Sequence, residues 1–177
     1  GNGFHINISV KADDGSDNLS FVMAGILDKV KDMTIFLNPT DDSYKRLGHK
    51  KAPGYISWSR ENRSQLIRLP AAIGQYRRAE LRSPDPLANP YLAFALLIYA
   101  GMEGITGKLA LPEPADLNLY KAGTDALTRF ERLPENVKSA CQAAAESPFI
   151  ENYIPAAILD IYCRQGGYPY QPVGGRK

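Results

Sequence analysis

Two short stretches each put three polar side chains on one side of an extended chain: His5, Asn7 and Ser9 in the first, Arg78, Glu80 and Arg82 in the second. From Lys45 to Arg82 there are ten basic residues against two acidic ones, Glu61 and Glu80, and seven of the ten are arginines. The remainder of the 177-residue chain is acid-rich, so the whole carries only +2. A local arginine excess of this kind points to an anion site rather than to general polycation behaviour. Arginine keeps its charge and presents a planar fork that matches carboxylate and phosphate oxygens. His5 stands on the first polar face and Glu80 on the second. Buried unpaired, such groups are too costly, so the two faces must pair with each other, meet water or line a ligand cavity. Arg78, Glu80 and Arg82 could satisfy one another as an ion network, and His5 could be a hydrogen-bonded core histidine; periodicity leaves both alternatives open.

The elements that carry these residues follow from pattern. Phe4 to Val10 alternates strictly, with Phe4, Ile6, Ile8 and Val10 opposite the polar set, as a half-buried strand does. Leu19 to Leu37 reads as an amphipathic helix closed by Asn38-Pro39-Thr40, and the loop from there to Trp58 reads as mobile unless a ligand orders it. Gln65–Leu69 and Arg77–Arg82 read as two further strands, joined through Pro70–Gln75 with Gly74 as the turn residue. Tyr91 to Met102 is apolar nearly all round and predicts a buried core helix, too short to span a membrane. Pro134 to Glu146 and Ala156 to Cys163 predict further helices, and 166–177 a loose tail. Two cysteines, Cys141 and Cys163, are too few for a disulfide framework or a Cys-based zinc site, and ordinary globular composition makes one domain with a cytoplasmic location the default. Helices and strands succeed one another without βαβ interleaving, which predicts an α+β fold with an antiparallel sheet.

Four motifs, taken in order, resemble those of glutamine synthetase. They are Gly3-Phe4-His5-Ile6-Asn7-Ile8-Ser9; Asn38-Pro39-Thr40 with Ser43-Tyr44-Lys45-Arg46-Leu47; Asn62-Arg63-Ser64 with Ile67-Arg68-Leu69-Pro70; and Arg78 to Pro86 with Ala88-Asn89-Pro90-Tyr91. The resemblance is sharp to about Gly104 and softer beyond. It implies that residues 1–165 are the C-terminal part of that family's catalytic domain, with an incomplete antiparallel sheet and packed helices. It further implies that His5 and Glu80 ligate one divalent metal, Mg²⁺ or Mn²⁺, that Arg46 and Arg82 hold the carboxylate of glutamate, and that Arg63 is the catalytic arginine stabilising the transferred phosphoryl group. Ser9, Asn7, Arg68 and Arg78 are implied nucleotide contacts. The chemistry implied is phosphorylation of glutamate by ATP, followed by displacement of phosphate by ammonia. A homo-oligomeric stacked ring is implied for the intact enzyme.

The sequence departs from the family pattern in three ways. Asn7 replaces a second histidine near the phosphates. Lys51 stands where many members carry a glutamate that guards the intermediate and helps deprotonate ammonium. The family's remaining metal-ligating glutamates lie upstream of the first motif, so a fragment that is inactive alone is expected. These departures keep two alternatives in play, a ligase that joins glutamate to a different amine and an inactive nucleotide-binding homologue. A nucleic-acid module fits the alternation of Arg78, Glu80 and Arg82 less well than a metal-phosphate cavity does. Tyr120 resembles a position that some members adenylylate, but reads as an ordinary surface tyrosine, and Trp58 reads as a core aromatic.

Overall fold

A computed structural model describes residues 3–49, 51–71 and 77–167. Its centre is helix α1, Leu19–Leu37, with thirteen of nineteen residues buried. The helix stops where expected: Asn38 lies before Pro39, cannot continue in α geometry, and donates its backbone N–H back to the Thr34 carbonyl at 2.8 Å. A short helix, α2 (Asp41–Tyr44), follows, and its N-terminus is closed by a Thr40–Ser43 capping box.

Four short strands form one open sheet in the order β1-β4-β3-β2: β1 Ile6–Ile8, β2 Trp58–Ser59, β3 Ile67–Arg68 and β4 Ala79–Leu81. The strands predicted at Phe4–Val10, Gln65–Leu69 and Arg77–Arg82 are present but shorter. The α+β class holds, with one correction: β1–β4 and β3–β4 are antiparallel, whereas β2–β3 is parallel. Parallel neighbours usually need a long crossover. Here a tight polar loop suffices, in which Asn62 donates its N–H to the Ser59 hydroxyl at 3.0 Å and accepts the Ser64 N–H at 3.0 Å. The chain thereby re-enters the sheet in its original direction. The loop expected to be mobile is closed by backbone hydrogen bonds, Gly48 N–H to the Ala52 carbonyl and Ala52 N–H to that of His49, both at 3.0 Å.

Strand register sorts side chains onto two faces. Ile6, Leu81, Ile67 and Trp58 stand opposite one another and join the core, where burial of each large apolar side chain contributes roughly 1.5–3 kcal/mol. Trp58 is the core aromatic expected, its indole N–H donating to the Pro112 carbonyl at 2.6 Å.

Helix α3, Pro90–Thr106, starts at an Asn89 cap with proline in first position and packs along α1. Glycines let the two backbones touch: a Cβ on Gly25 would come within 2.0 Å of the Ala100 carbonyl, and one on Gly104 within 2.1 Å of the Phe21 carbonyl. The expectation of a wholly buried helix fails on the far side. Tyr91 is 84% exposed, Ile98 64% and Met102 54%, and with Leu87 and Phe94 they form an apolar stripe at helical spacing. Apolar sequence reports what a face avoids, not whether this chain supplies its cover.

Of the remaining helices, α4 (Thr124–Leu127) buries no residue, whereas α5 (Val137–Ala145), α6 (Pro148–Tyr153) and α7 (Ala156–Gln165) pack on α1, and one disulfide joins Cys141 on α5 to Cys163 on α7. The turn assigned to Gly74 and the tail beyond Gly167 lie outside the described residues.

Candidate active site

The second face of the sheet is a row of polar side chains. Asn7 stands opposite Glu80, Glu80 opposite Arg68, and Arg68 opposite Ser59. Glu80 is the hub. Its Oε2 accepts from Arg68 Nε at 2.6 Å and from Arg82 Nη1 at 3.0 Å, while Oε1 lies 3.0 Å from His5 Nδ1. Burial by itself pushes the Glu80 carboxyl up, but the hydrogen bonds and charges of Arg68 and Arg82 hold it below its ordinary range. Burial, reinforced by the Arg82 charge, holds His5 below its usual value against the opposing pull of Glu80. His5 is therefore neutral near pH 7, the form that ligates metals.

The face thus holds an ion network in which Glu80 pairs with Arg68 as well as Arg82, and the network leaves Arg82 incompletely satisfied. Arg82 is buried, its Nη2 reaches the Lys51 carbonyl at only 3.5 Å, and its Nε has no partner among the described residues. Arg78 donates its Nε–H to the Asn7 side-chain oxygen at 3.1 Å. Arg46 comes from the loop after α2 and is held by Asp85, Asn38 and the Ser83 carbonyl. It shares the site with His5, because a Cβ on Gly3 would lie 3.1 Å from His5 Nε2 and 4.0 Å from Arg46 Nη1.

His5, Glu80, Arg68, Arg82, Arg46, Asn7 and Arg78 are therefore brought together. Two predicted residues stand apart from that hub. Arg63 is exposed at the tip of the Ser59–Ser64 loop, and Ser9 is exposed at the end of β1. The Arg63 loop is pinned from behind, where the Leu119 N–H donates to the Ser64 hydroxyl at 2.9 Å. Tyr120, next in the chain, is 36% exposed. Beside β1 lies a mostly apolar groove of about 600 Å³, lined by Asn7, Ser9, Phe94 and Ile98 among others.

His5 and Glu80 fit the metal role assigned to them. Ligand distances of about 2.1 Å at right angles put neighbouring donors about 3.0 Å apart, and His5 Nδ1 and Glu80 Oε1 have that separation. With Oε2 held by two arginines, Glu80 has one oxygen to give. Among the described residues no third histidine, cysteine, aspartate or glutamate joins the pair.

Sequence reasoning passed over Asp85 and Asn38 as site residues, Asp85 falling inside the fourth motif and Asn38-Pro39 ending a helix. Both are buried beside Arg46. A buried arginine needs a carboxylate, and that requirement was the available signal.

The family pattern of the glutamine synthetase catalytic domain matches residues 1–167. The glutamine synthetase of Methanosarcina mazei is 40% identical over 153 residues, covering 83% of this chain and 34% of that protein. That of Methanocaldococcus jannaschii is 44% identical over 126 residues, covering 69% and 27%. A solved structure described as a GmaS/ADP complex superposes with a TM-score of 0.77 at 27% identity, over 93% of this chain and 42% of that one. The chain spans about a third of the length of these curated relatives. Fold, motif order and the pattern match agree: the chain belongs to the glutamine synthetase catalytic-domain family.

Proposed function

We propose that this chain forms part of the active site of an ATP-dependent ligase that phosphorylates the side-chain carboxylate of glutamate and lets ammonia displace phosphate, giving glutamine, ADP and phosphate. The observation that carries the reading is the hub at Glu80, where one carboxylate organises His5, Arg68 and Arg82 on an open sheet face. In this reading Glu80 Oε1 and neutral His5 hold a divalent ion, Mg²⁺ or Mn²⁺. When bound, that ion neutralises phosphate charge. Arg68, Arg78, Asn7 and Ser9 contact the nucleotide; nucleotide binding as such is supported by the structural neighbour, described as an ADP complex. Arg82 and Arg46 orient the glutamate carboxylate, and Arg63 meets the phosphoryl group in transfer, where one well-placed arginine is worth roughly 10³-fold in rate. A homo-oligomeric ring and a cytoplasmic location belong to the same proposal; among the described residues no helix is long and apolar enough to cross a membrane.

Lys51 supports a second reading. Its backbone carbonyl is the one Arg82 reaches, which puts the Lys51 main chain at the site margin and its cation within reach of that margin as part of this reading. A cation there opposes ammonium and favours an amine that enters uncharged.

Calorimetric titration of the chain with ADP plus Mn²⁺, repeated on Glu80→Gln, tests the proposal. Saturable binding that the variant loses is the expected result. Equal binding by both would remove Glu80 from the metal role, and no binding by the wild type would overturn a preformed half-site.

A further inference from the structure

Arg46 is gripped along one edge only. Its Nε–H donates to Asp85 Oδ2 at 3.0 Å, and its Nη2 donates to the Asn38 side-chain oxygen at 3.2 Å and to the Ser83 carbonyl at 2.9 Å. A guanidinium has five N–H donors in fixed directions. These contacts consume the Nε hydrogen and both hydrogens of Nη2. Nη1 has no partner among the described residues and lies 4.0 Å from where a Cβ on Gly3 would stand, a point 3.1 Å from His5 Nε2.

The grip is itself anchored. The Asp85 N–H donates to the Leu37 carbonyl at 2.9 Å, and its second carboxylate oxygen accepts the Leu87 N–H at 2.9 Å. Asn38 is fixed at the end of α1 through Thr34. The side chains of Arg46 and Asp85 are 16% and 10% exposed, so water competes weakly for the pair.

We propose that Asp85 is the positioning residue of Arg46: together with Asn38 and the Ser83 carbonyl it occupies Nε and Nη2, and leaves Nη1 as the single nitrogen that meets a substrate carboxylate oxygen. This deepens the ligase reading and rests on Arg46 being a carboxylate contact. It follows that Arg46 makes a one-nitrogen contact with the substrate, and that forked recognition of the carboxylate belongs to another group.

Asp85→Asn preserves shape but offers one oxygen to two donors, Arg46 Nε–H and Leu87 N–H. L-Glutamate is titrated by calorimetry into the wild type, Asp85→Asn, Arg46→Ala and the double variant. Asp85→Asn weakens L-glutamate about tenfold or more, leaves ADP plus Mn²⁺ unchanged, and adds nothing once Arg46 is alanine. Effects that add in the double variant would overturn the proposal and leave the role of Arg46 standing. Arg46→Ala binding L-glutamate as tightly as the wild type would overturn both. Arginine side-chain NMR gives a readout on the wild type alone: L-glutamate moves the Arg46 Nη1 signals and not Nε–H, and an Nε–H shift as large as that of Nη1 would overturn the one-nitrogen contact.

Discussion

Glu80 and Arg68 are cross-strand neighbours on β4 and β3, and their side chains close at 2.6 Å on the polar face of the sheet. The same carboxylate also carries Arg82, whose side chain is 4% exposed against 21% for Arg68. Removing one partner of a buried pair leaves the other charge uncompensated, at a cost of about 3–5 kcal/mol. Glu80→Ala strands two arginines, so a loss near about 3 kcal/mol is expected. Arg82→Ala costs more than Arg68→Ala, because solvent screens the latter. Urea unfolding of the three variants checks the ranking, and equal losses for the two arginines would contradict it.

His5 and Glu80 also make stability depend on pH. Both are held below their ordinary values, 6.5 for the histidine and 4.5 for the glutamate. In each case the unfolded chain binds the proton more readily, so the contribution is full above the ordinary pKa and is lost as pH falls through the folded one. Stability therefore declines below about pH 6.5 through His5, and declines again below about pH 4.5 through Glu80. Asp32 opposes the trend. Burial raises it above 3.8, against the hydrogen bond it accepts from Ser147 Oγ at 2.6 Å, so its protonation favours the fold as pH falls. Melting temperatures recorded between about pH 7.5 and about pH 4 should fall, and His5→Asn should flatten the upper part of the curve. A His5→Asn curve parallel to the wild type would remove His5 from the account.

The polar face was legible because period two acts on single strands: the alternation of His5, Asn7 and Ser9 and of Arg78, Glu80 and Arg82 already put the polar groups on one side. What joined them was not. Strand β2 is two residues long and pairs in parallel through a loop held by Asn62, too little pattern for period two to register. Asp85 and Asn38 carry local turn chemistry that matches their sequence reading, and their grip on Arg46 spans 39 and 8 positions, a relation no local pattern encodes. Helix α3 was recognised as apolar, yet which part of it is covered depends on tertiary packing.

The uncovered stripe on α3 has a measurable consequence. Ile98 and Met102 are more than half exposed, so replacing them removes few contacts within the chain. Ile98→Lys and Met102→Lys should leave the unfolding free energy within about 0.5 kcal/mol. They should also lower binding of a hydrophobic dye and light scattering at high concentration, since the stripe is a continuous apolar patch. Loss of stability without loss of dye binding would mean that these side chains are packed rather than exposed.

The contact between α1 and α3 depends on hydrogen atoms at two positions. A methyl group at Gly25 would sit 2.0 Å from the Ala100 carbonyl and one at Gly104 2.1 Å from that of Phe21, both backbone atoms that cannot swing aside. At Gly101 the obstacle is the Val22 side chain at 3.0 Å, which can yield by a few tenths of an ångström. Alanine favours helix over glycine by roughly 1 kcal/mol, which works in favour of all three substitutions. At Gly101 that gain offsets the crowding, so Gly101→Ala should be near neutral. At Gly25 and Gly104 the helices must separate along the centre of the core, and overpacking of this kind costs about 3 kcal/mol or more. Chemical unfolding should thus place Gly25→Ala and Gly104→Ala well below the wild type and Gly101→Ala close to it. If all three behave alike, helix propensity rather than backbone contact governs the α1–α3 pair.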